Sequence, residues 1–312
     1  MTDTAPSPRA SSTKRLEPLR HVDAGVLNIA YCEAGPADGP AVMLMHGFPY
    51  DIHSYVDVAP DLAAQGCRVI VPYLRGYGPT VLRDKATPRS GEQAAVGADM
   101  MALMDALGIK RAVFAGYDWG GRAASVSAAL WPERCIGLVC TNGYMIQDIA
   151  HAMVPARPDH EAALWYQYYF QLERGRAGLA ANRRGIAKLL WSQWSPSWAF
   201  DDACFERSAI AFDNPDYVDV VIHSYRHRFG LADGDPQYAE VQRRLAALPV
   251  ITVPTISLDG ADDGVTPARD GSASAAKYTA RRAHRVIPGA GHNLPQEAPE
   301  AFAAAVIEVM KA

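Results

Sequence analysis

The sequence predicts an α/β fold, built on a mostly parallel, doubly wound sheet whose strands alternate with helices. Three observations support this fold class. Short apolar runs rich in β-branched residues recur along the chain, helical patterns lie between them, and the alternation stops once, for about 100 residues, before it resumes. The runs are nearly continuous in apolar residues, as expected for strands that helices cover on both faces.

Seven runs are predicted to form strands. They are residues 26–33, 41–47, 67–74, 111–117, 136–143, 251–260 and 284–291. Two of the segments between them, residues 91–109 and 120–133, have a helical pattern and a high content of small or apolar residues. Strand and helix therefore alternate through both ends of the chain, which favours a parallel sheet.

The alternation breaks in a stretch rich in Trp, Tyr and Arg that contains helical patterns without strands. We therefore predict a core of residues 17–145 and 247–312, with a helical cap of residues 146–246 inserted between two strands. An insertion at this point could cover the carboxyl ends of the strands, where α/β sheets bind their ligands. Residues 1–16, rich in Pro, Ser and Ala, are predicted to be a flexible tail.

Composition argues against several classes of function. The formal net charge of −4 does not favour nucleic acid or an anionic membrane as a partner. No apolar run approaches the ~20 residues of a membrane span, and the N-terminal segment lacks the apolar region of a secretory signal. The five cysteines have no C-x-x-C spacing, which predicts reduced, buried thiols rather than a disulfide framework or a zinc site. The expected protein is soluble and cytoplasmic.

The first candidate catalytic residue is Asp118, in the segment GYDWGG (116–121). A predicted strand leads into this turn and a helix of small residues follows, which is the context of a nucleophile elbow. Helix capping alone would leave the flanking glycines unexplained. An ionised carboxylate, with an ordinary pKa of about 3.9, can attack a saturated carbon at neutral pH without help from a base.

The ester formed by such an attack must be hydrolysed, which requires a base that activates water. His292 follows a predicted strand and a glycine loop, and the order nucleophile, acid, histidine is that of triads built on this elbow. The acid that orients His292 is expected after the preceding strand, in ISLDGADDGVTP (256–267). Asp263 is the first choice, with Asp262 and Asp259 as alternatives.

Two backbone N–H groups are predicted to form an oxyanion hole. One belongs to Trp119, directly after the nucleophile and at the start of a helix. The other belongs to Phe48 in HGFP (46–49), in the loop after a predicted strand. His46 in the same motif is interpreted as a brace for this loop rather than as a catalytic residue.

With these residues in hand, the sequence resembles the epoxide hydrolases of the α/β-hydrolase superfamily over nearly all of residues 20–312. The motifs that carry the resemblance are HGFP (46–49), RGYG (75–78), DWGG (118–121) and GAGH (289–292). Haloalkane and fluoroacetate dehalogenases share part of this set, so the motifs indicate mechanism more than substrate. The resemblance implies a hydrolase without metal or organic cofactor that acts on a small, apolar molecule, and it leaves a homodimer open.

Two cap tyrosines are implied by the same resemblance. Tyr166 in WYQYYFQ (165–171) falls where the family carries one of them, and Tyr225 in HSYRHRFG (223–230) resembles the other. An opening epoxide leaves an alkoxide that two phenols would stabilise and protonate, whereas a departing halide needs only weak donors. Tyr168 is the substitute candidate for Tyr166. The expected product is therefore a vicinal diol.

The first rival function is a dehalogenase that acts on an alkyl halide or a haloacid. Asn142 stands where some dehalogenases carry the triad acid, and Phe48 where many carry a polar halide-binding side chain; both weaken this reading. In its favour, the Trp119 indole could bind a halide. Arg122 matches one of the two arginines that clamp the carboxylate in fluoroacetate dehalogenases, but Trp119 occupies the position of the other.

Arg122, Tyr168 and Trp191 are the candidate substrate contacts. Trp191, Trp194 and Trp198 have spacings that allow one helical face to carry all three, either as a pocket wall or as packing of the cap. A rival of another class is a non-catalytic ligand-binding protein of the same fold. It is disfavoured because nucleophile, base and acid are all present.

Overall fold

The computed structural model describes residues 14–280 and 282–312. Within these residues the strands form one nine-stranded sheet in the order β1-β2-β4-β3-β6-β7-β8-β9, with β5 paired to β2. The strands are β1 (Leu19–Ala24), β2 (Leu27–Ala34), β3 (Ala41–Met45), β4 (Arg68–Pro72), β5 (Val81–Leu82), β6 (Ala112–Gly116), β7 (Cys135–Thr141), β8 (Thr255–Gly260) and β9 (Arg282–Ile287).

The sheet is parallel from β4 through β3, β6, β7 and β8 to β9, whereas β2 pairs with β1, β4 and β5 in the antiparallel sense. All seven predicted runs overlap a strand. The sequence patterns missed β1 and β5, because β1 is largely exposed at the edge of the sheet and β5 has only two residues. Neither strand carries the continuous apolar pattern of a covered strand.

Helices cover both faces of the sheet. Helices α3 and α12 each contact β6 and β7, while α2 packs on α3 and α1 packs on α12. The α-helices are α1 (Val58–Ala64), α2 (Gln93–Ala106), α3 (Asp118–Leu130), α4 (Pro158–Ala163), α5 (Trp165–Tyr169), α6 (Glu173–Ala181), α7 (Arg183–Trp194), α8 (Asp202–Ala209), α9 (Tyr217–His227), α10 (Ala239–Ala246), α11 (Leu294–Glu297) and α12 (Pro299–Met310). The predicted fold class, a mostly parallel doubly wound sheet, agrees with this architecture.

Strands β7 and β8 are neighbours in the sheet, although more than a hundred residues separate them in the chain. The intervening chain holds α4 to α10 and none of the nine strands, which is the arrangement expected for an inserted helical cap. The last of these helices, α10, packs against α2 and α3 of the core. The end of the predicted cap therefore contacts the face of the sheet that carries the nucleophile helix.

The predicted tail differs from the structure at its end. Leu16 is 6% exposed within the core, and Arg207 donates a hydrogen bond of 2.9 Å to the carbonyl oxygen of Lys14. Residues 1–13 lie outside the described part of the chain. All five cysteines are free and buried, as the sequence predicts. None of the described helices is both long and apolar enough to cross a bilayer.

The RGYG motif fastens the loop after β4. Arg75 is 2% exposed and donates two hydrogen bonds of 2.6 Å to the carboxylate of Asp99 on α2. Gly76 has φ +78°, and a Cβ there would meet the Cβ of Val220 at 2.9 Å. Since only glycine fits this close approach, the motif lets cap helix α9 pack directly on the core.

Candidate active site

Asp118 begins α3 directly after β6, with φ +49°. This left-handed conformation is strained for most residues and is typical of functional turns. Two neighbouring glycines make the turn possible. A Cβ on Gly120 would meet the Met45 carbonyl oxygen at 1.9 Å, and a Cβ on Gly47 would meet the Cβ of Asp118 at 2.6 Å. The elbow thus presents the carboxylate at the carboxyl end of the sheet.

The two oxygens of the Asp118 carboxylate have different partners. The Phe48 N–H donates to Oδ1 at 2.8 Å, while Oδ2 lies 3.6 Å from His292 Nε2. Trp119, the second residue of α3, has a backbone N–H without a partner inside the helix. Burial acts to raise the pKa of Asp118, but His292, the Phe48 N–H and Arg122 together lower it below its ordinary value. The carboxylate is therefore ionised at neutral pH.

His292 lies after β9 and Asp263 after β8, so the two come together at the same end of the sheet. The Nδ1–H of His292 donates to Asp263 Oδ2 at 2.8 Å. Asp263 Oδ1 accepts from the backbone N–H groups of Val265 and Thr266 at 2.9 and 2.8 Å. These bonds hold a buried carboxylate in one orientation and, through it, the imidazole.

The alternative acids have other contacts. The Asp259 carboxylate accepts hydrogen bonds from the backbone N–H groups of Asn142 at 3.1 Å and Arg269 at 3.0 Å, which ties two loops together. Asp262 is half-buried, and its backbone N–H donates to the Ala290 carbonyl oxygen at 2.9 Å. Of the three candidates, Asp263 is the one whose carboxylate contacts His292.

The charge state of His292 follows from its two acidic neighbours. Burial acts to lower the pKa of the imidazole, but the carboxylates of Asp263 and Asp118 outweigh it and raise the pKa to about 10. Nδ1 faces Asp263. Nε2 is buried, lies 3.6 Å from Asp118, and has no hydrogen-bond partner in residues 14–280 and 282–312. In the resting site the imidazole is therefore protonated between two carboxylates.

Two buried phenols from the cap lie over this centre. Tyr166 on α5 is 3% exposed and Tyr225 on α9 is 1% exposed, and their ring centroids are 5.3 Å apart. Both rings lie against Phe48, at 6.2 and 5.4 Å. Gln167 donates to the Tyr166 oxygen at 2.9 Å, which leaves the phenolic hydrogen free for another acceptor.

Both phenols keep their protons at neutral pH. Burial is the main cause, with a smaller contribution from the negative charge of Asp118. It raises the pKa of Tyr166 to about 12 and that of Tyr225 well above its ordinary value. Each side chain can therefore act as an O–H donor beside the carboxylate.

A cavity of about 440 Å³ opens between the core and the cap. Asp118 and His292 line it from the core, and Tyr166 lines it from the cap. Arg122, a predicted substrate contact, also lines it. Among the described residues, no group of His, Cys, Asp and Glu side chains is suited to hold a metal ion. The cavity brings together a carboxylate, an imidazole and the phenol of Tyr166.

A family model described as the alpha/beta hydrolase fold matches residues 40–299. The chain belongs to this family. The candidate catalytic groups of this α/β-hydrolase lie after β6, β8 and β9, at the carboxyl ends of the parallel strands.

The similar proteins are mainly epoxide hydrolases. The structure of a candidate epoxide hydrolase from Klebsiella pneumoniae subsp. pneumoniae MGH 78578 is 48% identical, with a TM-score of 0.93, and the match covers 95% of this chain and 98% of that one. Epoxide hydrolase A from Mycobacterium tuberculosis is 27% identical over 93% of this chain and 96% of its own. Epoxide hydrolase A from Mycobacterium thermoresistibile, 22% identical with a TM-score of 0.74 over 95% of this chain and 98% of that one, shares the fold. The resemblance inferred from the motifs is confirmed.

Two predicted substrate contacts lie elsewhere in this α/β-hydrolase. Tyr168 is 41% exposed and its ring packs on Phe229. It is two residues from Tyr166 on one helix, which turns it to the opposite face. Trp191 is fully buried in the cap, stacks on Tyr50 at 4.8 Å, and donates from its indole to the Pro49 carbonyl oxygen at 2.8 Å. Neither side chain lines the cavity, so the structure does not place these two residues in the site.

His46 has a structural environment. Its Nδ1–H donates to the Gly47 carbonyl oxygen at 2.9 Å, and its Nε2 accepts from the Leu74 N–H at 3.1 Å. Burial lowers the pKa of His46 to about 4, so the ring is neutral. It braces the loop that carries Phe48, the role inferred from the sequence.

The sequence patterns missed a second set of contacts that hold the histidine loop. The Trp194 carbonyl oxygen, at the end of cap helix α7, accepts from the N–H of His292 at 3.2 Å and from that of Gly264 at 3.0 Å. The Ser195 hydroxyl accepts from the His292 N–H at 3.1 Å and donates to Glu297 at 2.6 Å. The cap is therefore bonded to both loops of the acid–base pair. No local motif marks these residues, because their partners lie 70 or more positions away in the chain.

Asp262 and Asp263 are neighbours in the chain, and their substitution distinguishes which of them orients His292. We expect Asp263→Asn to lower turnover at least ~10²-fold, because His292 loses its orienting carboxylate and can adopt the wrong tautomer. Asp262→Asn, a matched change one residue away, should have a much smaller effect since its carboxylate does not contact the imidazole. Steady-state kcat of the two purified variants checks this. A larger loss of turnover in Asp262→Asn than in Asp263→Asn would mean that Asp262, and not Asp263, orients His292.

Proposed function

We propose that this α/β-hydrolase converts an epoxide to a vicinal diol through a covalent ester on Asp118. The observation that carries the proposal is the pair of protonated, buried phenols of Tyr166 and Tyr225 above an ionised carboxylate. Donors of this kind match an opening epoxide, whose oxygen becomes a strong base. The 48% identity to a candidate epoxide hydrolase supports the same activity.

In the first step a carboxylate oxygen of Asp118 attacks one epoxide carbon and breaks its bond to the ring oxygen. Oδ1 is held by the Phe48 N–H, so Oδ2 is the oxygen expected to attack. The electron pair of the broken bond moves to the ring oxygen, which the phenols stabilise and protonate. The product of this step is a hydroxyalkyl ester of Asp118.

The site can supply the proton that the ring oxygen takes up. Formation of the ester removes the negative charge of Asp118, which is one of the two charges that raise the pKa of His292. The imidazolium therefore becomes a stronger acid at the moment when the phenols need a proton. Its deprotonation leaves a neutral imidazole, which is the form that a general base requires.

In the second step His292 takes a proton from water, and the resulting hydroxide attacks the carbonyl carbon of the ester. The oxyanion develops on Oδ1, where the N–H groups of Phe48 and Trp119 can stabilise it. Collapse of this intermediate breaks the bond between the former ester carbon and the alkoxy oxygen. The alkoxide takes the proton of the newly added hydroxyl, which releases the diol and leaves Asp118 as a carboxylate. His292 keeps the proton that it took from water, so the resting site is regenerated.

The two steps should depend differently on pH. Between about pH 6 and about pH 9 the alkylation rate should be flat, because Asp118 has a lowered pKa and stays ionised. Ester hydrolysis needs neutral His292, so its rate should fall as the pH drops through the imidazole pKa of the ester form. Rapid-quench measurement of both rates across this range checks the prediction. An alkylation rate that falls in parallel with hydrolysis would contradict it.

The proposed activity is tested with a substrate panel of aryl epoxides, aliphatic epoxides, haloalkanes and fluoroacetate, scored for diol or halide release. We expect diol from at least one class of epoxide and no comparable release of halide. Halide release without diol would support the dehalogenase function instead. Tight binding of epoxides without turnover would support a non-catalytic ligand-binding function.

A further inference from the structure

Two arginines face the catalytic cavity without a carboxylate at ion-pair distance in the described part of the chain. Arg122 lies four residues after Asp118 on α3, and Arg228 directly follows the last residue of α9. Both line the cavity that contains Asp118 and His292. One guanidinium belongs to the core and the other to the cap, so the cavity brings together two charges from distant parts of the sequence.

The hydrogen bonds of Arg122 are incomplete. Its Nη1 donates to the Met145 carbonyl oxygen at 2.9 Å, but its buried Nε has no hydrogen-bond partner among the described residues. Elsewhere the same protein pairs a buried arginine fully, as Arg75 does with both oxygens of Asp99. A buried charged donor that lacks a partner is unfavourable unless a ligand supplies one.

Within the described chain, Arg228 also lacks the carboxylate partner that the nearby Arg226 on α9 has. Arg226 donates to the carboxylate of Glu173 at 2.9 Å, away from the cavity. The guanidinium of Arg228 lies over the ring of Tyr225, 5.7 Å from its centroid. The helix thus supplies one arginine with an internal carboxylate and directs the other toward the site.

The two guanidinium groups also act on each other. Burial, and then the charge of Arg228, lowers the pKa of Arg122 to about 10, so both groups are charged at neutral pH and repel. Asp118 offsets part of this charge, but it is bonded to the Phe48 N–H and loses its charge in the ester. An anion bound between the arginines would relieve the repulsion through both stages of the reaction.

The lining of the cavity is positive although the chain as a whole carries a formal charge of −4. Four Arg or Lys side chains line it, against two Asp. One of these acids is the nucleophile. The other, Asp259, accepts backbone hydrogen bonds from Asn142 and Arg269. The positive charge of this cavity is therefore not a reflection of overall composition.

We propose that the epoxide substrate carries a carboxylate, which Arg122 and Arg228 bind while Asp118 attacks the ring. This inference rests on the proposed function. A carboxylate matches the planar fork of a guanidinium and accepts two N–H bonds at once. Arg122 is about 6 Å along the helix axis from Asp118, so the acid group lies within a few bonds of the epoxide. The substrate class is a short-chain epoxy acid, more polar at one end than the apolar molecule expected from the sequence.

The test compares two substrates of equal size with the wild-type enzyme. One, 2,3-epoxybutanoate, is charged, and the other, 2,3-epoxybutanamide, is neutral. The amide keeps the shape of the acid and loses its charge. We expect kcat/KM for diol formation to favour the acid by roughly 10-fold or more, because charge-assisted pairs with arginine are the stronger hydrogen bonds. The preference should shrink as salt is added.

Substitution of single arginines identifies the residues that cause the preference for the acid substrate. Arg122→Met and Arg228→Met should each reduce the acid-to-amide ratio of kcat/KM about 10-fold. Arg226→Met removes a charge from the same helix outside the cavity and should keep the wild-type ratio. Thermal unfolding of each variant identifies any that fails to fold. An unchanged ratio in folded Arg122→Met and Arg228→Met would overturn the assignment of the carboxylate to these two residues.

The outcomes separate this inference from the proposed function. Hydrolysis of the amide as fast as the acid by wild type means that the enzyme is an epoxide hydrolase without a carboxylate site. If the enzyme hydrolyses neither compound and no other epoxide in the panel, the proposed function fails. The carboxylate site is then tested by binding alone. NMR titration of wild type with butanoate and butanamide should show tighter binding of butanoate; equal or absent binding of the two overturns the carboxylate site.

Discussion

His292→Gln should stop the reaction at the ester, lowering steady-state diol formation by ~10⁴-fold or more, as loss of a triad base does in other hydrolases. Alkylation should continue, because an aspartate is an acid whose ordinary pKa of about 3.9 leaves it ionised at neutral pH. The variant loses the contribution of His292 to lowering the pKa of Asp118, but the Phe48 N–H and Arg122 still lower it. The hydrolysis of the ester needs the imidazole to take a proton from water. Intact-protein mass spectrometry after mixing with an epoxide should therefore show an adduct of the substrate mass, on the peptide that contains Asp118.

A second histidine provides the matched control. His160 on α4 lines the same cavity but has no place in the acid–base pair. His160→Gln should turn over without accumulating an adduct. If the adduct in His292→Gln is found on a serine or a cysteine, the nucleophile is not Asp118 and the mechanism fails.

Replacement of the two phenols is expected to slow epoxide opening most among changes that leave the triad intact. Removal of one O–H donor aimed at developing charge costs roughly 2–4 kcal/mol, by analogy with oxyanion-hole deletions. Tyr166→Phe and Tyr225→Phe should therefore each lower the single-turnover alkylation rate roughly 30- to 1000-fold. The double variant should nearly abolish it. Ester hydrolysis depends on His292 and Asp263 and should survive in all three.

Tyr168→Phe is the control for this series, since Tyr168 lies on the same short helix as Tyr166 but is 41% exposed on its other face. Its alkylation rate should equal that of wild type. Each Phe substitution keeps the ring and its packing, so thermal stability should change little. Wild-type alkylation in both Tyr166→Phe and Tyr225→Phe would make the phenols packing residues and remove the main support for epoxide chemistry.

The elbow that carries the candidate nucleophile, and the strands around it, were predictable because their sequence signal is local. The elbow needs glycine at fixed positions around Asp118. A Cβ on Gly120 would lie 1.9 Å from the Met45 carbonyl oxygen, and a Cβ on Gly47 would lie 2.6 Å from the Cβ of Asp118. Continuous apolar runs marked the covered strands for the same reason, since each side chain of such a strand is buried. Edge strand β1, which is mostly exposed, has no such signal.

The sequence did not determine the acid as clearly, because three aspartates lie within five residues: Asp259 near the end of β8, and Asp262 and Asp263 after it. Only the turn after that strand separates them. It directs Asp263 toward His292 at 2.8 Å and leaves the Asp259 carboxylate bonded to two backbone N–H groups. The structure also separates the aromatic candidates of the cap. Tyr166 and Tyr225 are buried against Phe48, whereas Tyr168 is exposed on the other face of its helix and Trp191 is bonded to the Pro49 carbonyl oxygen.

By itself the sequence determined the fold class, the elbow at Asp118 and the histidine that follows the last strand, because periodicity and glycine spacing are properties of neighbouring residues. Only the tertiary structure decided what faces the cavity. It brought Arg228 of the cap beside Arg122 of the core, and it bonded Trp194 and Ser195 to the loop of His292. Contacts between residues a hundred positions apart leave no periodic signal, since they depend on how the cap packs onto the sheet.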